Sequence, residues 1–151
     1  NICDAMIMEA GIFHLSSHHR ARKAAEKLSE SRSVFSFERN QQETALNRFL
    51  AENRFVELAY ITDRSGRQVV ENIYADHVEG SDGLDKGLGR DWSRKDWFKI
   101  PSESLSTFLS QVYRSSATRN FCFTVAVPLF DNLEFAGVLG IDINFKDLIS
   151  I

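Results

Sequence analysis

The stretch from Phe121 to Phe145 limits the possible folds of this chain more than any other part of the sequence. Bulky and small side chains alternate along both of its halves, which is the two-residue period of a β-strand. The turn-forming pair Asp131-Asn132 separates the two halves. The pattern therefore predicts a β-hairpin with strands at residues 120–130 and 134–143.

The two faces of this predicted hairpin differ in bulk. One face carries mostly large apolar side chains, with a glycine among them: Phe121, Phe123, Val125, Val127, Leu129, Phe135, Gly137, Leu139, Ile141 and Ile143. The opposite face carries mostly small side chains and one carboxylate: Cys122, Thr124, Ala126, Pro128, Ala136, Val138, Gly140 and Asp142. The large face suits packing against a helix, whereas the small face leaves space. Space beside the carboxylate of Asp142 predicts a small-molecule pocket that Thr124 shares.

Chain length and charge restrict the domain organisation and the partners. The chain has 151 residues, of which 43% are hydrophobic, so we expect one domain over residues 1–151 with a sizeable core. Its net charge is -3, and its 18 lysines and arginines are scattered along the sequence. Because nucleic-acid binding needs a dense basic surface, we do not expect nucleic acid as a partner.

Sequence patterns for metal binding or catalysis are weak or missing. His14, His18 and His19 lie close together on a predicted helix, but no carboxylate or cysteine joins them at ligand spacing, so a solvated helix face is the simpler interpretation. The two cysteines, Cys3 and Cys122, match neither a zinc pattern nor a disulfide framework. The motifs of common hydrolases, P-loop proteins and zinc proteases do not occur. We therefore expect no enzyme activity, no metal site and no cofactor in this domain.

Apolar residues at three- and four-residue steps predict helices near both ends of the chain. We predict a long helix at residues 1–31, a second helix at 40–53 and the start of an exit helix at 145–151. The first half of the long helix is apolar nearly all round, at Met6, Ile7, Met8, Ile12 and Phe13. Burial on two sides would explain that pattern, so we predict a parallel homodimer through the N-terminal helix.

Between these helices the sequence predicts further strands. A second hairpin, with strands at 55–62 and 67–74, surrounds the turn signal Asp63-Arg64-Ser65-Gly66. A glycine-rich, acidic loop at 76–91 follows; it lacks the alternate acid spacing of an EF-hand, so a solvated loop is favoured over calcium binding. Residues 102–109 predict one or two helical turns, and residues 109–115 a strand. The order predicts an α+β fold with a five-stranded antiparallel sheet over residues 55–143.

Several segments of the sequence resemble the Cache family, the PAS-like extracytoplasmic sensor domains of bacterial receptors. They are TDRSG, WSRKDWF, QVYRSSATRNFCFTVAVPLFD and GVLGIDI, in that order, between Phe55 and Asp147. The resemblance implies a five-stranded PAS-like sheet with the long N-terminal helix on one face and a ligand pocket, under the long loop, on the other. It also implies a sensor anchored in a bacterial cell membrane, with this domain in the periplasm or outside the cell. A histidine kinase, a diguanylate cyclase or a chemoreceptor could be the output module.

The resemblance also suggests residues that hold a ligand. In Cache domains that bind amino acids and amines, an Arg-x-Trp-Tyr motif follows a tyrosine and precedes a later tyrosine and an aspartate. In this sequence Trp97, Phe98, Tyr113 and Asp142 stand at the tryptophan, second tyrosine, later tyrosine and aspartate positions, while Lys95 replaces the arginine and Arg90 the leading tyrosine. Since lysine lacks the bidentate fork of arginine, Arg94 is a second candidate for a ligand carboxylate.

These residues predict a small ligand, with an amino acid or related zwitterion as the first candidate and an amine or simple carboxylate as the others. An unpaired carboxylate in an apolar strand would be costly, so Asp142 must have a hydrogen-bonding or cationic partner. That partner is either a ligand or a neighbouring protein group. A module that dimerises and transmits a signal without a ligand of its own is the alternative function.

Overall fold

The computed structural model describes residues 18–76, 78, 86–115 and 119–149, which form helices around one antiparallel sheet. Residues 18–29 are helical and are called α1. The elements that follow are α2 (Arg32–Phe35), α3 (Arg39–Glu52), β1 (Val56–Asp63), β2 (Ile73–Tyr74), α4 (Asp96–Ser104), β3 (Phe108–Leu109), β4 (Tyr113–Arg114), β5 (Phe121–Asp131), β6 (Glu134–Asn144) and α5 (Phe145–Ile149). The predicted α+β class is confirmed, with six strands instead of five in the part of the chain described.

The sheet has the order β2-β1-β6-β5-β3, and β4 also pairs with β5. The sixth strand arises because the strand predicted at 109–115 is two short strands, β3 and β4, with a gap between them. Ser110 causes the interruption: its Oγ accepts the backbone N–H of Thr124 at 2.8 Å, where a backbone carbonyl would accept in a continuous ladder. The chain leaves the sheet at this point and returns at Tyr113.

The strand predicted at 67–74 is also shorter than expected. Ile73 and Tyr74 pair with β1, whereas Gln68 makes only an isolated bridge to Thr62. Between these pairings the Gln68 side chain donates to the carbonyl of Val70 at 2.9 Å and to Asn72 Oδ1 at 2.8 Å. These bonds give the backbone a local alternative to the ladder, so the chain bulges away from β1 before rejoining it.

The hairpin predicted from alternation is confirmed as β5 and β6, in which Thr124 lies opposite Asp142 and Ala126 opposite Gly140. Its large face packs on the helices except at two positions: Phe121 is exposed, and Phe135 packs against Phe98 in the cluster of the opposite face. The fully buried residues of that core include Phe123, Val125, Leu139 and Ile141 from the hairpin, Ala21 and Ala25 from α1, and Leu46 from α3. Burying a valine, leucine, isoleucine or phenylalanine side chain contributes roughly 1.5–3 kcal/mol. The small face is thereby turned to the other side of the sheet, where α4 lies.

The helices agree with the prediction in part. The described residues 18–29 of the predicted long helix are helical, while residues 1–17, including the apolar positions assigned to a dimer, lie outside the described residues. The predicted second helix is α3, and α5 follows β6 directly within the predicted range 145–151. His18 departs from the solvated face predicted for it, because its ring packs edge-on against Phe123 at a centroid distance of 4.1 Å. Within the described ranges, no helix combines the length and the apolar character that membrane crossing requires.

Helix α4 lies at 96–104, earlier than the turns predicted at 102–109. The helix begins at Asp96, after the extended residue Lys95. The carboxylate of Asp96 in the first turn interacts favourably with the positive end of the helix dipole. The helix ends at Leu105, which adopts a left-handed conformation and donates its backbone N–H to the carbonyl of Pro101. The short helix carries its aromatic residues onto the small face of the hairpin.

Candidate ligand-binding site

An open cavity of about 910 Å³ lies on the small face of the sheet, where that face was predicted to leave space. Its lining comes from β1, the segment after β1, the start of α4, the β3–β4 region, β5 and β6. The lining residues are Leu58, Tyr60, Gln68, Asn72, Trp92, Lys95, Asp96, Trp97, Phe108, Leu109, Ser110, Gln111, Tyr113, Thr124 and Asp142. The cavity therefore combines an aromatic and apolar lining with a few polar groups, as small-molecule sites commonly do.

Three hydroxyl groups surround the carboxylate of Asp142. Tyr60 Oη and Thr124 Oγ1 each donate a hydrogen bond to Asp142 Oδ1 at 2.9 Å. Tyr113 Oη lies 2.9 Å from Thr124 Oγ1, and because Thr124 uses its proton for Asp142, the tyrosine is the donor in that pair. Tyr60 and Thr124 thus direct their protons at the carboxylate and Tyr113 directs its proton at Thr124, an arrangement that stabilises a partly buried anion.

Strand register brings this group together. Tyr60 on β1 lies opposite Gly140 on β6, two residues from Asp142, and Thr124 on β5 lies opposite Asp142 itself. A Cβ atom at Gly140 would lie 2.0 Å from the Tyr60 ring, so only glycine leaves room for that ring on the sheet. The absence of a side chain at 140 therefore lets Tyr60 reach Asp142.

Burial controls the ionisation of the site. Burial raises the pKa of Asp142 to about 6, in spite of the opposing effect of the hydrogen bonds from Tyr60, Thr124 and Tyr113. Burial also raises the pKa of Tyr60 and of Tyr113 well above the usual value, and the negative charge of Asp142 adds to both shifts. At neutral pH both phenols therefore remain protonated donors, while Asp142 is mostly ionised but at a cost in free energy.

Aromatic rings form one wall of the cavity beside the carboxylate. The Trp97 ring meets the Tyr60 ring edge-on at a centroid distance of 4.9 Å and lies 5.6 Å from the Trp92 ring. A hydrogen bond fixes the Trp92 ring, because its Nε1–H donates to Gln68 Oε1 at 2.9 Å. The faces of aromatic rings attract cations as well as apolar groups. The wall and the carboxylate together favour a ligand with a positive charge.

Five of the eight predicted site residues line the cavity, namely Lys95, Trp97, Tyr113, Thr124 and Asp142. Phe98 is buried instead in a cluster with Ala126 and Val138, because the next residue of a helix points about 100° away from the one before it. Arg90 lies over the Trp92 ring at 5.2 Å, and Arg94 is exposed; neither lines the cavity. Ligand contacts by these three residues stay predictions.

Sequence reasoning missed Tyr60, Trp92 and Gln68 as lining residues. A signal for Tyr60 was present, because a glycine on the small face of a strand leaves room for a large ring on its neighbour. The sequence alone did not indicate that β1 would be that neighbour. Trp92 and Gln68 come from irregular segments, where no period predicts the direction of a side chain.

The charged and metal-binding groups of the site indicate which ligands it can bind. Among the described residues there is no group of three or more histidine, cysteine, aspartate or glutamate side chains that could hold a metal ion. The cavity carboxylates are Asp142, which is partly buried, and Asp96, which is exposed. Of the cations in the described part of the chain, Lys95 alone lines the cavity, and it too is exposed. A cationic group at Asp142 would satisfy the electrostatics best.

Comparison with known proteins identifies the family. The family profile described as "Methyl-accepting chemotaxis protein-like, first PDC sensor domain" matches residues 42–150. The citrate (Re)-synthase of Syntrophus aciditrophicus (strain SB) is 32% identical over 109 residues, a match that covers 72% of this chain and 17% of that protein. The chain thus spans a small part of this relative, and the family description names a sensor domain. The prediction that this domain is not an enzyme is confirmed by that family.

Solved structures share the fold. The extracellular domain of mmHK1S-Z2, assigned as a histidine kinase, superposes with a TM-score of 0.70 at 17% identity, over 95% of this chain and 60% of that one. The sensory domain of the Campylobacter jejuni chemoreceptor Tlp3 with isoleucine bound superposes with a TM-score of 0.56 at 14% identity, over 97% and 55%. At such identities the likeness concerns the fold. Together with the profile match, it confirms the predicted Cache resemblance: the chain belongs to the methyl-accepting chemotaxis protein-like family of first PDC sensor domains.

Proposed function

We propose that this domain senses a small ligand that carries an ammonium group, an amino acid or an amine, and that the ligand binds in the cavity beside Asp142. The observation that carries the proposal is the partly buried, hydrogen-bonded carboxylate of Asp142 in the lining of an aromatic-walled cavity. The hydrogen bonds from Tyr60 and Thr124 both end on Oδ1. The other oxygen, Oδ2, is the acceptor that a ligand donor would reach. An ammonium there would gain charge-assisted hydrogen bonds.

The balance of charge in the lining supports an ammonium ligand over a simple carboxylate. The lining contains two carboxylates, those of Asp142 and Asp96, and among the described residues its only lysine or arginine is Lys95. A carboxylate ligand would have to approach Asp142 against repulsion, with only an exposed lysine to attract it. An amino acid could place its ammonium at Asp142 and its carboxylate towards Lys95. An amine needs only Asp142 and the wall of Trp92 and Trp97.

Binding measurements with defined compounds test this proposal. We expect isothermal titration calorimetry to detect members of a panel of L-amino acids and primary amines, and not the matching carboxylic acids. Asp142→Asn should weaken binding about 30-fold or more, because it removes the charge from a buried ion pair. Lys95→Gln should weaken the amino acids while leaving the amines unchanged, since only an amino acid has a carboxylate to present to it.

Asp131→Asn is the matched control, because it removes one negative charge from an exposed position of the same hairpin. Its binding constants should equal those of the wild type. Binding of carboxylic acids but not of amines would contradict the proposal, and so would full affinity for an amine in folded Asp142→Asn. A panel without any binder would favour the ligand-free signalling module.

We further propose that residues 1–151 form one sensor unit of a membrane receptor in a bacterial cell membrane, with this domain in the periplasm or outside the cell. The family description, a chemotaxis-type sensor domain, supports this placement. The output module would be a histidine kinase, a diguanylate cyclase or a chemotaxis signalling domain. Alkaline phosphatase inserted into the domain of the full receptor should be active in cells, since the enzyme folds outside the cytoplasm; an inactive fusion of normal abundance would contradict the placement.

Dimerisation through the N-terminal helix is a separate proposal. It rests on the apolar positions Met6, Ile7, Met8, Ile12 and Phe13, which lie outside the described residues. Sedimentation velocity of residues 1–151 at rising concentration should show a monomer–dimer equilibrium, and Ile7→Asp with Ile12→Asp should shift it to monomer. A wild type that stays monomeric at millimolar concentration would contradict the proposal.

A further inference from the structure

A second polar cluster lies on the cavity face of the sheet, two residues along β5 and β6 from the ligand site. Its centre is Glu57, which is 3% exposed. Glu57 Oε1 accepts hydrogen bonds from Asn144 Nδ2 at 2.7 Å and Asn120 Nδ2 at 3.2 Å, and Glu57 Oε2 accepts the Cys122 thiol at 3.3 Å. Cys122 and Asn144 are paired across β5 and β6, two residues from the pair Thr124 and Asp142. The ligand site and this cluster are therefore neighbours on one face.

The β-strand irregularity in β1 places Glu57 in this position. The register between β1 and β6 shifts between Val56 and Leu58, so that Glu57 falls at a bulge. A bulge redirects a side chain relative to the regular alternation of the strand. Glu57 can therefore reach Cys122 and Asn144, which share a face with Asp142.

Asn144 connects this cluster to the exit helix. Its Nδ2 donates to Glu57, and its Oδ1 accepts the backbone N–H of Asp147 at 3.0 Å, in the first turn of α5. One amide group therefore links a buried carboxylate with the capping of a helix. At the other end of α5, the carbonyl of Leu148 accepts a hydrogen bond from Arg20 of α1 at 2.8 Å. Helix α5 is thus held between the cavity side of the sheet and the first helix.

The carboxylates of Glu57 and Asp142, which share this face, affect each other. The negative charge of Glu57 contributes to the raised pKa of Asp142, after the larger effect of burial. Burial also raises the pKa of Cys122 well above its usual value, and the charge of Glu57 adds to this shift. The Cys122 thiol therefore remains neutral and donates its hydrogen bond to Glu57. Asp147 is the further acidic group that acts on the cluster.

We propose that Glu57 and Asn144 couple the charge at Asp142 to the cap of helix α5. When Asp142 is negative, it repels Glu57 and weakens the hydrogen-bonded cluster that orients the Asn144 amide. When Asp142 is neutralised, Glu57 holds Asn144 more firmly, and the Asn144 Oδ1 cap on Asp147 is stabilised. A change of charge at the ligand site would in this way change the stability of the α5 cap and, through the hydrogen bond of Arg20, affect α1. The inference concerns charge at Asp142 and stands whichever ligand the cavity takes.

A double-mutant cycle followed by amide hydrogen exchange tests the coupling without any ligand. NMR would measure the exchange rate of the Asp147 amide, which donates to Asn144, relative to amides of α3 that report overall stability. Asp142→Asn should slow exchange at Asp147 about fivefold in the presence of Glu57, which is the low end of coupling between sites. In the background of Glu57→Gln the same substitution should have less than about a twofold effect.

Asn144→Ser provides a second background, which can be used even if the Glu57→Gln variant does not fold. Serine can still cap α5 but is too short to reach Glu57, so Asp142→Asn should again leave the exchange at Asp147 unchanged. Asp131→Asn, with its exposed carboxylate, is the control for charge alone. Equal effects of Asp142→Asn in all backgrounds, or none in the wild type, would overturn the proposal. Since no ligand is used, either result leaves the proposed ligand class untouched.

Discussion

Gly140→Ala is expected to destabilise the domain by about 3 kcal/mol, the upper end of the cost of overpacking a buried site. A Cβ atom at this position would lie 2.0 Å from one atom of the Tyr60 ring and 2.6 Å from two others. The ring cannot move aside without losing its hydrogen bond to Asp142 and its contact with Trp97. Urea unfolding of the wild type and the variant would measure the loss.

The partner of the clash can be removed to test the cause. In a Tyr60→Ala background the ring atoms that meet the new Cβ are gone, so adding Gly140→Ala should cost less than about 1 kcal/mol. Tyr60→Phe serves as the second comparison, since it keeps the ring and removes only the hydroxyl; it should cost about 1 kcal/mol. A cost of Gly140→Ala that is the same with and without the Tyr60 ring would show that the backbone of β6, and not Tyr60, requires glycine.

The sequence predicted the central hairpin closely because its signal is local. Alternation of large and small residues along β5 and β6 assigned both strands within a residue or so, and it placed Thr124 and Asp142 on one face. Both properties follow from the two-residue period of the strand itself. The pocket was predicted from the same face, because the small residues and the carboxylate that define it lie on the two paired strands of one hairpin.

Features that depend on long-range pairing could not be predicted in the same way. Tyr60 enters the site only because β1 pairs with β6 in the register that sets it opposite Gly140. The shortened strands have a different cause, since Ser110 and Gln68 use their side chains to bind backbone groups that a strand would pair. Such competition depends on the rotamer that the folded protein selects. Phe98 is a third case, because α4 begins earlier than the predicted helical turns and the helix turns Phe98 away from the cavity.

Asp142→Asn is expected to change how the stability of the ligand-free domain depends on pH. Burial raises the pKa of Asp142 from 3.8 to about 6. Because the folded state holds this proton more tightly than the unfolded state, the protonated carboxyl stabilises the fold, and the contribution is lost as pH rises from about 4 through 6. The shift corresponds to about 3 kcal/mol, an upper value because the cavity gives Asp142 partial access to solvent.

Urea unfolding at a series of pH values would measure this contribution as a difference. The free energy of unfolding of the wild type minus that of Asp142→Asn should fall by up to about 3 kcal/mol between pH 4 and pH 7 and then stay constant. The same difference for Asp131→Asn should stay flat within about 0.5 kcal/mol, since Asp131 is exposed. A difference for Asp142 that rises with pH would mean that the hydrogen bonds from Tyr60 and Thr124 outweigh burial.

The expected cost of an ionised Asp142 also explains how a ligand would gain affinity at this site. The hydrogen-bonding partners Tyr60 and Thr124 give the carboxylate hydroxyl donors but no opposite charge. An ammonium group at Oδ2 would offset the cost of burial and lower the pKa of Asp142, so binding would release the remaining proton near pH 6. The affinity for such a ligand should therefore fall about tenfold between pH 7 and pH 5, where Asp142 becomes protonated. Calorimetry in buffers of different ionisation enthalpy would detect the released proton, and an affinity independent of pH would place the ammonium elsewhere in the cavity.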